Sequence, residues 1–466
     1  MKRHRTRFSI FAFLFLFATL TGAVRADKID DEIRARMKER HIPGAAVAVV
    51  KNGKVVRLKG YGLASMEFSV PVTKDTAFEI GSVSKQMTAA GIMLLVEDGK
   101  VNLDERISKY LPGTPEAWKD VTVRHLLTHS SGIKSYTSLT GFELSRRVKM
   151  EGFIEQLSPY PLEFTPGEEN IYSNSGFNLL AYIIQTQSGK PYMDFMRERI
   201  FRPLGMNKTT NRDPRNIIPL RAEGYEWEDE GHRGRDGSLT DLMGAGSIVS
   251  TVTDLIKWNA ALNGDTFLKP ESKKQIWTQF VFNNGEKSPY GFGWRISDFR
   301  GQHLIGHTGQ TAGFGAANFR YTDAGINVIV LTNLGESGMG SLLATRIAKY
   351  YIPSLSLKSL KPVEEKIPGL GAKLGKVLAA RREGRVEEDI TAESLRRFLG
   401  TDRAKRETER MLPFGAERKI EFVETEIDGE MEYYDYRTET AKRFYLWRVS
   451  VDKDGKLSRL TLVEEE

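Results

Sequence analysis

Apolar and polar positions change their period along this chain, and the changes mark out its elements. Asp31 to Arg40 spaces apolar side chains as a helix does, and Ala45 to Lys59 holds two β-rich runs around Asn52-Gly53. That dipeptide suits a tight hairpin turn, so the reading is helix, strand, strand. A third β-rich segment, Ala77 to Ile80, stops at Gly81. From Ser82 onward, Met87, Ile92, Met93, Leu95 and Val96 give a buried helix that closes near Gly99. Between Val101 and Leu262, helical patches alternate with proline and glycine loops, among them Thr165-Pro166-Gly167 and the polar run Glu226 to Gly237. Strands are then predicted over Gly291 to Ile296, Gly315 to Arg320 and Ile326 to Thr332, followed by a helix over Gly340 to Tyr350.

Strands at both ends of this region with helices between them predict that its termini pair into one antiparallel sheet. The chain of 466 residues exceeds what one core accommodates, so a second domain is expected. Ser359 to Gly371 reads as a linker of lysine, proline, glycine and glutamate. Beyond it come helical segments at Ala372 to Arg382 and from Thr391. Strand-like runs follow around Lys419 to Ile427, Met431 to Arg437, Phe444 to Val451 and Leu457 to Val463. The division is therefore residues 1–26 as an export signal, 27–357 as a large domain, 358–370 as a linker and 371–466 as a small α+β domain. Its aromatics, Tyr433, Tyr434, Tyr436, Phe444, Tyr445 and Trp447, alternate along strands as core residues do.

The signal reading rests on Lys2, Arg3, Arg5 and Arg7, the apolar run Phe8 to Leu20, and a small-residue cleavage site at Val24-Arg25-Ala26. The run is shorter than the ~20 residues of a spanning helix, so no integral membrane segment is expected after cleavage, and a periplasmic or secreted location is. Losing Lys2, Arg3, Arg5, Arg7 and Arg25 takes the formal charge from +7 to +2, which leaves no electrostatic footprint for nucleic acid. The absence of cysteine excludes disulfides, a cysteine nucleophile and cysteine-linked lipid.

The candidate chemistry starts at Ser82 and Lys85. A serine and a lysine at i and i+3 on the first helical turn face the same side, so the amine reaches the hydroxyl. The helix dipole and burial both disfavour a protonated lysine there, making the amine a proton acceptor for Ser82. Ser-x-x-Lys also occurs at Ser131/Lys134 and Ser450/Lys453, but only Ser82 has the strand, glycine and helix setting. Two further motifs follow: Tyr172-Ser173-Asn174 after the Pro166-Gly167 turn, and His307-Thr308-Gly309 between β-rich segments.

With these three motifs in this order the sequence resembles the serine β-lactamase and penicillin-binding-protein superfamily, in the branch of class C β-lactamases, D-alanyl-D-alanine carboxypeptidases and family VIII esterases. His125 to Gly132, Ala245 to Ser250 and Tyr290 to Trp294 add to the likeness, which covers about Ile29 to Tyr351. The resemblance implies an antiparallel sheet flanked by helices with an all-helical subdomain, plus the small α+β domain, and a serine hydrolase that needs no cofactor or metal. It implies Ser82 as nucleophile, Lys85 as the amine that takes its proton, and Tyr172 as proton relay, with its phenol acidified by Lys85. Asn174 would orient Lys85 and the substrate amide. The N–H groups of Ser82 and Gln310 would form the oxyanion hole, Thr308 would bind a substrate carboxylate or carbonyl, and His307 would complete the hydrogen-bond network, with Gly309 in the same substrate-binding motif.

Histidine at 307 stands where most β-lactamases carry lysine, so a permanent cation facing a substrate carboxylate is missing. A Ser-His-Asp hydrolase is disfavoured because no Gly-x-Ser-x-Gly occurs, and a metalloenzyme because no His-Glu-x-x-His does. His125 and His129 are read as fixing a loop. The expected partner is a small molecule or peptide, such as a cell-wall peptide, with a D-amino-acid-containing or β-lactam-like scissile group. The alternatives are a carboxylesterase and an inactive ligand-binding protein.

Overall fold

The computed structural model describes residues 28–140, 150–213, 215–235, 243–336, 338–428 and 431–466. The export signal assigned to residues 1–26, and the last two residues of the Glu226 to Gly237 run, lie outside them.

The chain forms two compact units, Met1–Tyr351 and Ile352–Glu466. In the first, a seven-stranded antiparallel sheet runs in the spatial order Val70–Pro71, Lys54–Ser65, Gly44–Lys51, Ile326–Thr332, Phe314–Tyr321, Gln302–Thr311, Arg295–Phe299. The first long strand lies beside the last, with Ala48 opposite Ile329, so the two ends of the unit close one sheet as the sequence pattern predicts. Both strands are nearly continuous apolar runs because helices cover both faces, Val252–Asn263 on one side and Met339–Tyr351 on the other. Asn52 and Gly53 adopt φ of 48° and 76°, the left-handed pair that a two-residue hairpin requires.

The helix Ser84–Glu97 is buried on all sides from Ser84 to Leu95, the pattern of a central rather than a surface helix. It packs on Asn174–Ser188 and on the short helix Met243–Gly246. A helical region that includes Val123–Leu127, Met150–Leu157 and Tyr192–Met196 completes the core around Phe153, Phe177 and Leu180.

Two elements differ from the sequence reading. His307-Thr308-Gly309 is not between strands but in the middle of one, Gln302–Thr311, which Gly306 and Gly309 disguise as a loop. The second unit begins at Ile352, earlier than residue 358, because Leu355 and Leu357 are buried in 3₁₀ turns and Val363 pairs its N–H with Phe422. That unit is a four-stranded antiparallel sheet in sequential order, Lys419–Asp428, Met431–Glu439, Phe444–Val451 and Leu457–Glu465. It also contains the helices Leu370–Arg382, Glu393–Leu399 and Asp402–Met411. Tyr434, Tyr436, Tyr445 and Trp447 belong to its core, whereas Tyr433 and Phe444 are half-buried.

Leu331 is fully buried in the central sheet. Leu331→Ala is expected to lower stability by about 2–5 kcal/mol in urea unfolding, the cost of a buried leucine and its residual cavity; a loss below ~1 kcal/mol would contradict this packing.

Candidate active site

Ser82 sits in a 3₁₀ turn, Gly81–Val83, that runs directly into the central helix. Two glycines let the His307 strand press against this turn. Gly81 has φ of 50°, and a Cβ there would lie 2.7 Å from the Gln310 nitrogen. A Cβ at Gly309 would lie 1.9 Å from the Ile80 carbonyl oxygen and 3.2 Å from the Ser82 nitrogen. Ser82 and Gln310 are thus packed side by side, and both line the same cavity.

Lys85 is fully buried. Its Nζ lies 2.7 Å from Asn174 Oδ1, 2.8 Å from the Ala245 carbonyl oxygen and 3.0 Å from Ser82 Oγ. Loss of hydration holds its pKa well below 10.5, which favours the neutral amine. A neutral amine has two N–H groups and one lone pair. Asn174 and Ala245 accept the two N–H groups, and the lone pair is left for the Ser82 hydroxyl proton. From the other side Tyr172 donates its O–H to Ser82 Oγ at 2.7 Å.

The sequence reading needs Tyr172 acidified by Lys85, and here the structure points the other way. Burial pushes the phenol up, and neither the Ser82 hydrogen bond nor the charge of Arg295 reverses this. Lys85 Nζ lies 4.7 Å from the ring centroid, yet its presence does not offset the burial of the phenol. Tyr172 faces Ser82 as a hydrogen-bond donor.

His307 is buried, with Nδ1 2.5 Å from the Thr308 carbonyl oxygen and Nε2 2.7 Å from the Tyr290 hydroxyl. A carbonyl only accepts, so Nδ1 carries the proton and Nε2 accepts from Tyr290. Desolvation first, then positive charge on Lys85, protonated at the acid pH where His307 would titrate, and on Arg295 lower its pKa to about 3, so the imidazole is neutral near pH 7. His129 accepts the Ser173 N–H at 3.1 Å on Nδ1, and its ring lies 4.3 Å from that of Tyr172. His125 accepts the Thr122 N–H at 3.3 Å. Both histidines hold backbone, as expected.

Ser82, Tyr172, His307, Thr308, Gly309 and Gln310 line one cavity of about 400 Å³, and Arg295 lines it too. Among the described residues, no carboxylate lines the cavity and none pairs with Arg295, which is exposed. Three participants escaped the sequence reading as individual residues: the Ala245 carbonyl, Tyr290 and Arg295. The first two fall inside segments already noted for their family likeness, and Arg295 directly follows Tyr290 to Trp294. The other Ser-x-x-Lys copies form no such pair: Ser131 takes the Ile133 N–H at 3.2 Å, and Ser450 meets Ser458 at 2.9 Å.

The family model described as Beta-lactamase matches residues 29–351. A penicillin-binding protein of Bacillus subtilis is 32% identical over 64% of this chain and 70% of its own length. A D-aminopeptidase of Brucella anthropi is 29% identical over 62% of this chain, which spans 56% of the aminopeptidase. The octameric penicillin-binding protein homologue from Pyrococcus abyssi superposes with a TM-score of 0.63 at 25% identity, covering 94% of this chain and 95% of that one. D-amino acid amidase from Ochrobactrum anthropi SV3 gives 0.60 at 26% identity, over 70% of this chain and 98% of that one.

The neutral His307 makes a pH prediction. Between pH ~3 and 6.5 the unfolded chain binds a proton that folded His307 refuses, so this group's contribution to stability rises with pH through that window and is complete above it. His307→Gln is expected to narrow the difference between urea unfolding free energies at pH 4 and pH 7. An unchanged difference would contradict a neutral, buried imidazole.

Proposed function

The chain belongs to the Beta-lactamase family, and on that premise we propose that it is a serine hydrolase acting through an acyl-enzyme at Ser82. Its proposed substrate is a peptide ending in a D-amino acid with a free carboxylate, or a β-lactam of similar shape. The observation that carries this reading is Ser82 Oγ held between the Lys85 amine at 3.0 Å and the Tyr172 phenol at 2.7 Å.

In the proposed reaction the Ser82 proton passes to Lys85 as Oγ attacks the substrate carbonyl. The N–H groups of Ser82 and Gln310 receive the oxyanion. Tyr172 donates a proton to the leaving amine, and the Lys85 ammonium returns one to the phenolate, so no charge is stranded when the amine departs. Water then attacks the acyl-enzyme, giving its proton to Lys85, and the ester bond to Ser82 breaks as Lys85 passes that proton to Oγ, which restores the neutral amine and the hydroxyl. Asn174, donating to Thr137 Oγ1 at 3.2 Å, keeps Lys85 aimed throughout.

The carboxylate specificity rests on charge. Neutral His307 offers no cation, but Arg295 lines the same cavity without an acid to neutralise it. A free substrate carboxylate fits this pocket better than a free ammonium, for which no acid lines the cavity among the described residues. The D configuration draws support from the D-aminopeptidase and D-amino acid amidase relatives. Residues 1–26 support export, which is where cell-wall peptides are met.

Intact mass spectrometry with benzylpenicillin, and release of D-alanine from a peptide ending in D-alanyl-D-alanine, test the reading. An adduct or turnover is expected in wild type, with a loss of at least ~10³-fold in Ser82→Ala. Activity that survives in Ser82→Ala removes the acyl-enzyme, and wild type inert toward both removes the substrate class. Arg295→Gln is expected to raise KM about tenfold for the free-carboxylate peptide, corresponding to one lost charge-assisted hydrogen bond, and to leave the amide-capped peptide unchanged. Equal effects on both peptides would contradict the assignment.

A further inference from the structure

A second cavity in the first unit, of about 320 Å³, lies where the Asn52-Gly53 turn and the Thr322–Gly325 turn meet the end of the helix Val252–Asn263. Arg320, from the strand Phe314–Tyr321, lines it and is only 9% exposed. The acceptors of its guanidinium are both neutral amides: Asn259 Oδ1 takes Nη1 at 3.4 Å, and Asn263 Oδ1 takes Nη2. Its remaining neighbours are rings, with the guanidinium carbon 5.0 Å from the Trp277 ring centroid and 6.0 Å from that of Trp294.

Among the described residues, no carboxylate pairs with this cation. A buried charge ordinarily has a counter-charge, because amide oxygens and aromatic faces offset only part of its lost hydration. Desolvation lowers the Arg320 pKa to about 10, which still leaves it charged at neutral pH. The cavity wall is mixed, with Asn52, Asn259, Asn263 and Asn327 set among the apolar Val50, Ile256 and Ile326. A buried, charged guanidinium, amide-bearing residues beside it, a cavity large enough for several atoms and no acid lining it among the described residues are the features of an anion site.

We propose that this cavity binds a small anion, carboxylate- or phosphate-sized, against Arg320, at a site separate from Ser82. The place also has a route to the catalytic helix. Asn259 donates to Asn318 Oδ1 at 2.9 Å, and Asn318 donates to Gln86 Oε1 at 3.0 Å, one residue from Lys85.

The tryptophans beside the guanidinium supply the readout. Wild-type protein is titrated with sodium acetate and, separately, inorganic phosphate, at ionic strength held constant with a bulky sulfonate buffer, following tryptophan fluorescence and thermal unfolding. A saturable fluorescence change with a rise in Tm is expected from at least one of the two anions, and which one responds identifies the ligand chemistry. Arg320→Met is expected to weaken the response at least tenfold. Asn263→Asp, which sets a carboxylate on the atom position already touching Arg320, is expected to abolish it and to raise Tm without added anion. Should Arg320→Met fail to fold by circular dichroism, Asn263→Asp decides the matter. No saturable change in wild type, or an undiminished response in Asn263→Asp, would overturn the proposal. Neither result depends on the activity at Ser82.

Discussion

The structure around Ser82 is organised by the hydration that the Lys85 amine has given up. An ammonium in that position would need a compensating acid, and none of the three atoms around Nζ carries a charge: an amide oxygen, a peptide oxygen and a hydroxyl. All three partners can accept from an N–H, and in the neutral form the lone pair takes the place of one N–H and faces the Ser82 hydroxyl. This constraint reaches through much of the first unit, since Asn174 begins one helix, Ala245 lies in another, and both must pack against the helix that carries Lys85. The tight approach of Gly81 and Gly309 adds the other half, packing the Gln310 backbone against the turn that carries Ser82.

Three cations in this unit are handled in three ways. Lys85 is buried among neutral acceptors, and the loss of hydration lowers its pKa. Arg295 stays exposed at the cavity wall. Arg320 is buried, yet a guanidinium is too basic to neutralise, so it retains a charge that the surrounding asparagines and tryptophans offset only in part. The same physics makes His307 a neutral hydrogen-bond link between Tyr290 and the backbone. The cationic side chain that lines the cavity thus stands at position 295, on the neighbouring strand, and not at 307.

The parts of this site legible in the sequence are those fixed by short-range geometry. Ser82 and Lys85 meet because i and i+3 share a helix face, and Tyr172 and Asn174 announce themselves by type and order. The central sheet was legible because Gly44–Lys51 and Ile326–Thr332 are apolar runs of strand length. The strand carrying His307 was not, since Gly306 and Gly309 lower its β character for the sake of close approach. Ala245 was illegible as a ligand because it acts through its carbonyl, which every residue has. Arg295 and Tyr290 act across the sheet, and no local period reports a cross-strand neighbour. The acidity that the resemblance implies for Tyr172 runs against burial, which raises the phenol and lowers the Lys85 amine, a pair of shifts that no sequence pattern reports.

The central claim is that Lys85 is a neutral amine in the folded protein. Its side chain can be observed directly by heteronuclear NMR of ¹⁵N,¹³C-lysine-labelled protein, with the Lys85 signal assigned by its loss in Lys85→Met. Carbon and nitrogen shifts of a neutral amine at pH 7, titrating only well below pH 10.5, are expected. A signal that remains that of an ammonium until pH 10 would contradict the account and leave Ser82 without its base.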